Sequence, residues 1–141
     1  MRKIIFVIAL TVLTGGIAIG RPLQQKFEKA AFYAVMKSGD IAAIDNEIQN
    51  LSTAPEKDRD GYAGALLMKK ADLLRKNKDK LKSFKEGRIK LETALIAEPD
   101  NTEFHFLRLT IEEHAPRIVK YRSDIEKDKA FVIKNFKNLS Q

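Results

Sequence analysis

The chain has 141 residues, no cysteine, and 26 Lys and Arg against 19 Asp and Glu, for a formal charge of +7. That length holds one domain and excludes a second. The missing cysteine excludes a disulfide framework, thiol catalysis and lipid attachment through a thiol.

The N-terminal stretch MRKIIFVIALTVLTGGIAIG has the layout of a secretory signal. Arg2 and Lys3 form a positive start, Ile4 to Leu13 an apolar run, and Gly15, Gly16, Ala18 and Gly20 supply small residues before a cut. Residues 1–20 are therefore predicted to be a signal peptide and 21–141 a single all-helical domain, extracytoplasmic and either periplasmic or secreted. The alternative is an uncleaved anchor in the inner membrane, because the uncharged run from Ile4 to Gly20 stands at the short edge of a bilayer-spanning helix.

Past Pro22, a residue suited to a first helical turn, LQQKFEKAAFYAVMK places Leu23, Phe27, Ala30, Ala31, Ala34 and Val35 on one side of a helix. Ser38-Gly39 ends it, and Asp40 caps a second helix in which Ile41, Ile44, Ile48 and Leu51 recur at three- and four-residue spacing. The polar stretch from Ser52 to Gly61 has the composition of a linker. A third helix follows, with Tyr62, Ala63, Leu66, Leu67, Ala71 and Leu74 on a broad apolar face and a turn expected at Asn77 to Lys80.

The fourth helix is expected to start at Ser83, with Glu86 completing a capping box and Phe84, Leu91, Ala94 and Leu95 inward. Gly87 costs helix propensity, about 1 kcal/mol against alanine, which a close neighbouring helix would compensate. Pro99 stops this helix, Asp100 or Asn101 caps the next, and Glu103 suits its first turn. That fifth helix carries Phe104, Leu107 and Ile111 on one stripe, with Phe106 and Leu109 beside it. From Pro116 a last helix has its register in Ile118, Tyr121, Ile125, Val132, Phe136 and Leu139, with DIEKDK as an interruption. The run AFVI is the one place where a short strand competes. The class predicted is all-α, built of antiparallel helical hairpins as a tetratricopeptide-like array or a small irregular bundle.

Residues Met68 to Asn101 resemble a single tetratricopeptide repeat, the 34-residue helix-turn-helix unit. With Pro99 on its closing proline, Gly87 falls on the small position, Leu91 on the large apolar one, Ala94 on the alanine of the second helix and Leu74 on the leucine of the first. Ala71, Arg75 and Lys78 stand where the tryptophan, glycine and aromatic are usual, and no second copy follows at that offset. The resemblance implies a concave surface that binds peptide or protein, with no chemistry of its own.

Chemical sites are scarce. His105 and His114 fall on opposite sides of one helix and cannot share a metal, while His105 with Glu112 supplies only two ligands. His114 is read as a helix-end cation and His105 as a packed or surface residue. Glu103, Glu112 and Glu113 lack any sign of a shared cleft, and nucleophile elbows and phosphate-binding loops are missing.

One electrostatic feature remains. Lys69 to Lys90 holds ten Lys or Arg against Asp72, Asp79 and Glu86. On a continuous helix Lys69, Lys76 and Lys80 would fall within roughly 40° of one another, with Lys85 and Arg88 on the adjoining helix. Either this is a solvated face, or it contacts an anionic partner. Export, the small total charge and the absence of a stacking cluster near the lysines disfavour nucleic acid. The function expected is a non-enzymatic exported scaffold or adaptor that binds another polypeptide and needs no cofactor. A structural protein held on an acidic membrane surface is the alternative, and a small hydrolase the remaining one.

Overall fold

The structure is a computed structural model that describes residues 26–139. It contains α1 (Lys29–Ser38), α2 (Ile41–Asn50), α3 (Glu56–Leu73), α4 (Asn77–Ala97), α5 (Thr102–His114) and α6 (Ile125–Lys134). Short 3-10 turns stand at Leu51–Thr53, Arg117–Val119 and Phe136–Asn138. No strand occurs among the described residues, so the fold is all-α, and AFVI belongs to α6. The signal segment, Pro22 and Leu23 lie outside the described residues.

Local chemistry sets the first hairpin. Gly39 adopts a left-handed φ of 65°, which ends α1 at low steric cost. Asp40 then accepts a hydrogen bond from the Ala42 amide at 2.9 Å and starts α2. The rotation of α1 differs from the expected one: Ala30 and Ala34 face solvent, and Phe32 is its fully buried residue. An aromatic ring removes far more apolar area from water than an alanine methyl, so the helix turns to bury it. The Phe32 ring packs 4.8 Å from Tyr62, which also meets Phe27 at 4.9 Å and Phe104 at 5.8 Å.

Helix α3 lies at the centre and packs against α2, α4 and α5. Gly61 through Leu66 are buried in unbroken succession, as required of a helix covered on every side. The polar linker is accordingly shorter than expected, since Glu56 to Gly61 already form the first turns of α3 behind Pro55. Pro55 stands just ahead of the helix, where a missing N–H removes no ladder bond.

The turn into α4 falls at Leu74–Lys76 and not at Asn77–Lys80. Asp79 lies in the first turn of α4, where a carboxylate favours the helix N-terminus. Ser83 is no cap. It sits inside α4 and donates its hydroxyl to the Leu67 carbonyl at 2.7 Å, tying the two long helices together. This turn also cuts the segment in which the first helix of a tetratricopeptide unit would run. What the structure establishes is hairpin-like packing of several helices.

Gly87 meets the close neighbour that its sequence context called for. A Cβ there would stand 2.6 Å from the Gly64 carbonyl oxygen, and one on Gly64 would stand 2.7 Å from the Gly87 carbonyl oxygen. Leu91, Ala94 and Leu95 continue the buried face of α4. Pro99 follows its end, and Asn101 caps α5 by accepting from the Glu103 and Phe104 amides at 3.1 Å. The last helix is not continuous from Pro116. A 3-10 turn, a left-handed Lys120 at φ 48° and an irregular stretch come first, and DIEKDK opens α6 where it was expected to interrupt. Tyr121 and Val132 keep their inward register, whereas Ile118 and Phe136 face solvent.

Candidate functional site

Two neighbouring features are built around α5, one against α4 and α6 and the other toward α1, α3 and the 116–121 segment. The first is a buried polar network. His105, Arg108 and Glu112 share one buried face of α5, and Asp128 of α6 stands against it. Arg108 donates Nε and Nη2 to the two Asp128 oxygens at 2.6 and 2.7 Å, and Nη1 to Glu92 at 2.9 Å. His105 places Nδ1 2.7 Å from Asp128 Oδ1 and Nε2 2.8 Å from the Pro99 carbonyl oxygen. Each ring nitrogen therefore faces an oxygen acceptor. The ring stacks on Phe131 at 4.1 Å.

Burial by itself would raise the Asp128 carboxyl, but hydrogen bonds from Arg108 and His105 outweigh it and hold the group below the usual carboxylate range. Burial likewise opposes charge on Arg108, yet Asp128, Glu92 and Asp124 keep its guanidinium firmly protonated. Glu112 goes the other way. Its Oε2 has no partner among the described residues, Oε1 accepts only from the Asp124 amide at 3.3 Å, and burial pushes the carboxyl up. The network fastens α4, α5 and α6 to one another.

The second feature is a trough-like surface of two neighbouring open lobes. The inner lobe, about 260 Å³, lies among α1, α3 and α5 over Met36, Met68 and Phe106, with Lys37, Lys69 and His114 at its edge. The outer lobe, about 690 Å³, lies between the α3–α4 turn and the segment after α5. Ala71, Leu81, Phe84 and Val119 give it apolar walls, and Lys80, Lys85 and Arg88 line it with cations. Asp72 and Phe84 line both lobes, so the two are neighbours.

The wall opposite α4 is held at its two ends. Ala115 and Tyr121 are buried, while Ile118 between them is 88% exposed. Tyr121 donates its hydroxyl to Glu92 at 2.5 Å and meets Phe84 edge-on at 5.7 Å. Over its ring lies the Arg88 guanidinium, 4.9 Å from the centroid. That cation–π contact restricts one rim charge to the mouth of the outer lobe.

The basic residues singled out from the sequence are distributed differently from a single helical stripe. Lys69 edges the inner lobe, Lys76 stands at the cap of α4, and Lys80, Lys85 and Arg88 line the outer lobe. The break at Leu74–Lys76 separates Lys69 from the other two members of the stripe. Among the described residues none of the five is paired with a carboxylate, whereas Lys29, Lys57, Lys70 and Lys90 each are.

His105 and Glu112 do not pair with each other: Asp128 takes the histidine and the Asp124 amide takes the glutamate. His114 approaches the Thr110 carbonyl with Nδ1 at 2.7 Å in the last turn of α5. No group of three or more potential metal ligands occurs among the described residues. From the sequence Asp72 was read only as a counter-charge and Ile118 only as part of a helix register, while Leu81 and the Arg108–Asp128 pair were not singled out. A signal for the pair existed, because His105, Arg108 and Glu112 recur at helical spacing beside the apolar stripe, as groups with buried partners do. Nothing local marked Ile118 as a wall.

No family model, curated protein or solved structure matches this chain. The trough and its rim therefore carry the functional reading alone.

Proposed function

We propose that this protein is a non-enzymatic exported adaptor whose trough binds a segment of another polypeptide. One observation carries this: apolar walls at Phe84 and Val119 stand beside three cations that form no ion pair among the described residues, Asp72 of the same lining included. Apolar floors with a few placed polar groups are the usual make-up of binding clefts. Arrays of helical hairpins offer such concavities to peptides, and this supports the tetratricopeptide-like reading at the level of mode rather than motif. A catalytic role draws no support from His105, whose two nitrogens and ring face are all engaged.

The test is a photo-crosslinking residue at position 118, on the exposed wall, followed by recovery from an envelope extract. A discrete polypeptide adduct that disappears on joint Lys80→Gln, Lys85→Gln and Arg88→Gln substitution supports the adaptor. Adducts that are only lipid, or that persist unchanged in the triple variant, overturn it. The intact mass of the exported product tests export itself, the expected value being that of a chain cut after Ala18 or Gly20.

The membrane-surface reading has its own observation. Arg75, Lys76, Lys78 and Lys82 are exposed around the α3–α4 turn beside half-exposed Leu81. No helix among the described residues is long and apolar enough to cross a bilayer, so this contact would be interfacial, with about 1 kcal/mol from each basic residue near an anionic surface.

A further inference from the structure

We infer that the outward side of α6, with the turn behind it, rests on an anionic lipid surface, a contact independent of what the trough binds. Helix α6 packs chiefly against α5. Its rotation is fixed from the inner side, where Asp128 is fully buried on Arg108 and His105, and Val132 is buried one turn further on. The side turned away from them carries Lys127, Lys129, Ile133 and Lys134, all exposed, and the 3-10 turn at Phe136–Asn138 adds exposed Phe136 and Lys137. Ile133 and Phe136 are each 69% exposed.

The chemistry of this side matches a headgroup layer. None of its four lysines forms an ion pair among the described residues, and Glu126 is the one exposed carboxylate of α6. Large apolar side chains set among lysines can enter the boundary of the acyl region, while the lysine stems lie along it and hold their ammonium groups at the phosphates. The outer side of a single helix is convex, so a layer of lipid covers it without a matching groove. Because the Arg108–Asp128 pair already holds α6 in place, the contact carries no cost of ordering the helix.

The chain has no tryptophan, so Phe136→Trp gives a single fluorescent reporter at the contact. With the full chain, phosphatidylglycerol vesicles should shift its emission to the blue and acyl-brominated phosphatidylglycerol should quench it, whereas phosphatidylcholine vesicles should do neither. A basic residue near an anionic membrane is worth about fivefold in partitioning. Joint Lys129→Gln, Lys134→Gln and Lys137→Gln substitution in the reporter chain should therefore raise the lipid concentration at half-shift about a hundredfold, and added salt should raise it too. Ile133→Ser should raise it about fivefold and leave the circular dichroism spectrum unchanged, since that side chain packs in no core.

Leu81→Trp places the same reporter on the other exposed basic surface. A shift at position 81 with none at 136 assigns the contact to the α3–α4 turn and overturns the inference. An equal shift with phosphatidylcholine, or one unaltered by the triple change, overturns it as well. So does a response of the position 136 reporter to polyglutamate but not to phosphatidylglycerol, the face then belonging to an acidic polypeptide. None of these results bears on the adaptor reading, which stands or falls on the crosslink at position 118.

Discussion

Substitution of Gly87 by alanine sets two effects of opposite sign against each other. Intrinsic propensity favours alanine inside a helix by about 1 kcal/mol. Tertiary structure opposes it, because the new Cβ would lie 2.6 Å from the Gly64 carbonyl oxygen and 2.8 Å from the Met68 amide nitrogen. Ordinary contact begins near 3.4 Å, so α3 and α4 must part locally by about 0.8 Å. Both obstacles are backbone, and no side-chain rotation relieves them. Overpacking costs about 1–3 kcal/mol, and rigid obstacles place this case at the upper end, leaving a net loss of about 2 kcal/mol after the propensity gain. For a domain of this size that lowers the thermal midpoint by roughly 6–12 °C. Thermal unfolding followed by circular dichroism reads the shift directly. The Gly64→Ala change should act alike, and the double change should cost less than the sum, since one separation relieves both clashes. A raised midpoint for Gly87→Ala would refute the close crossing, and Gly87→Leu should be worse than Gly87→Ala.

Other consequences concern the buried charges and the helices as a whole. Asp128→Asn removes one side of a buried pair and should cost about 3–5 kcal/mol in denaturant unfolding. The carboxyl of Asp128 is held low when folded, so its contribution is present above its unfolded pKa and is lost as pH falls through the lower folded value; unfolding midpoints of the Asp128→Asn chain should show less of this acid dependence. Glu112 is raised when folded, so its contribution is present below the unfolded value and is lost as pH rises through the folded one. Glu112→Gln should therefore flatten stability over the window just above the ordinary glutamate range, and a steeper dependence in that variant would contradict the assignment. The helical circular dichroism signal should be indifferent to a chelator, and a chelator-dependent loss of helix would show that packing alone does not hold the fold.

What could be read from the sequence was whatever a few neighbouring residues decide. Gly39 and Asp40 ended one helix and began another, Pro99 and Asn101 did the same further on, and α5 runs from Thr102 to His114 as its own pattern indicated. Caps and stops are local because they satisfy orphan amides and carbonyls within one turn. Gly87 also announced a close neighbour, although the chain alone did not say that Gly64 would be the backbone it meets. Rotation of α1 was settled elsewhere: Phe32, not the alanine face, turned inward because Tyr62 and Phe27 offered it rings. The turn at Leu74–Lys76 and the break after Pro116 depended on which segments could pack, and several arrangements of those residues obey the local rules. Arg108 and Asp128 lie 20 residues apart, and their burial is tolerable only because each supplies the other's charge and hydrogen bonds. The trough has the same origin: Lys69, Lys80, Lys85 and Arg88 were visible as basic residues, but their place beside Phe84 and Ile118 arises from segments distant in the chain, whose packing is set by buried area and not by local propensity.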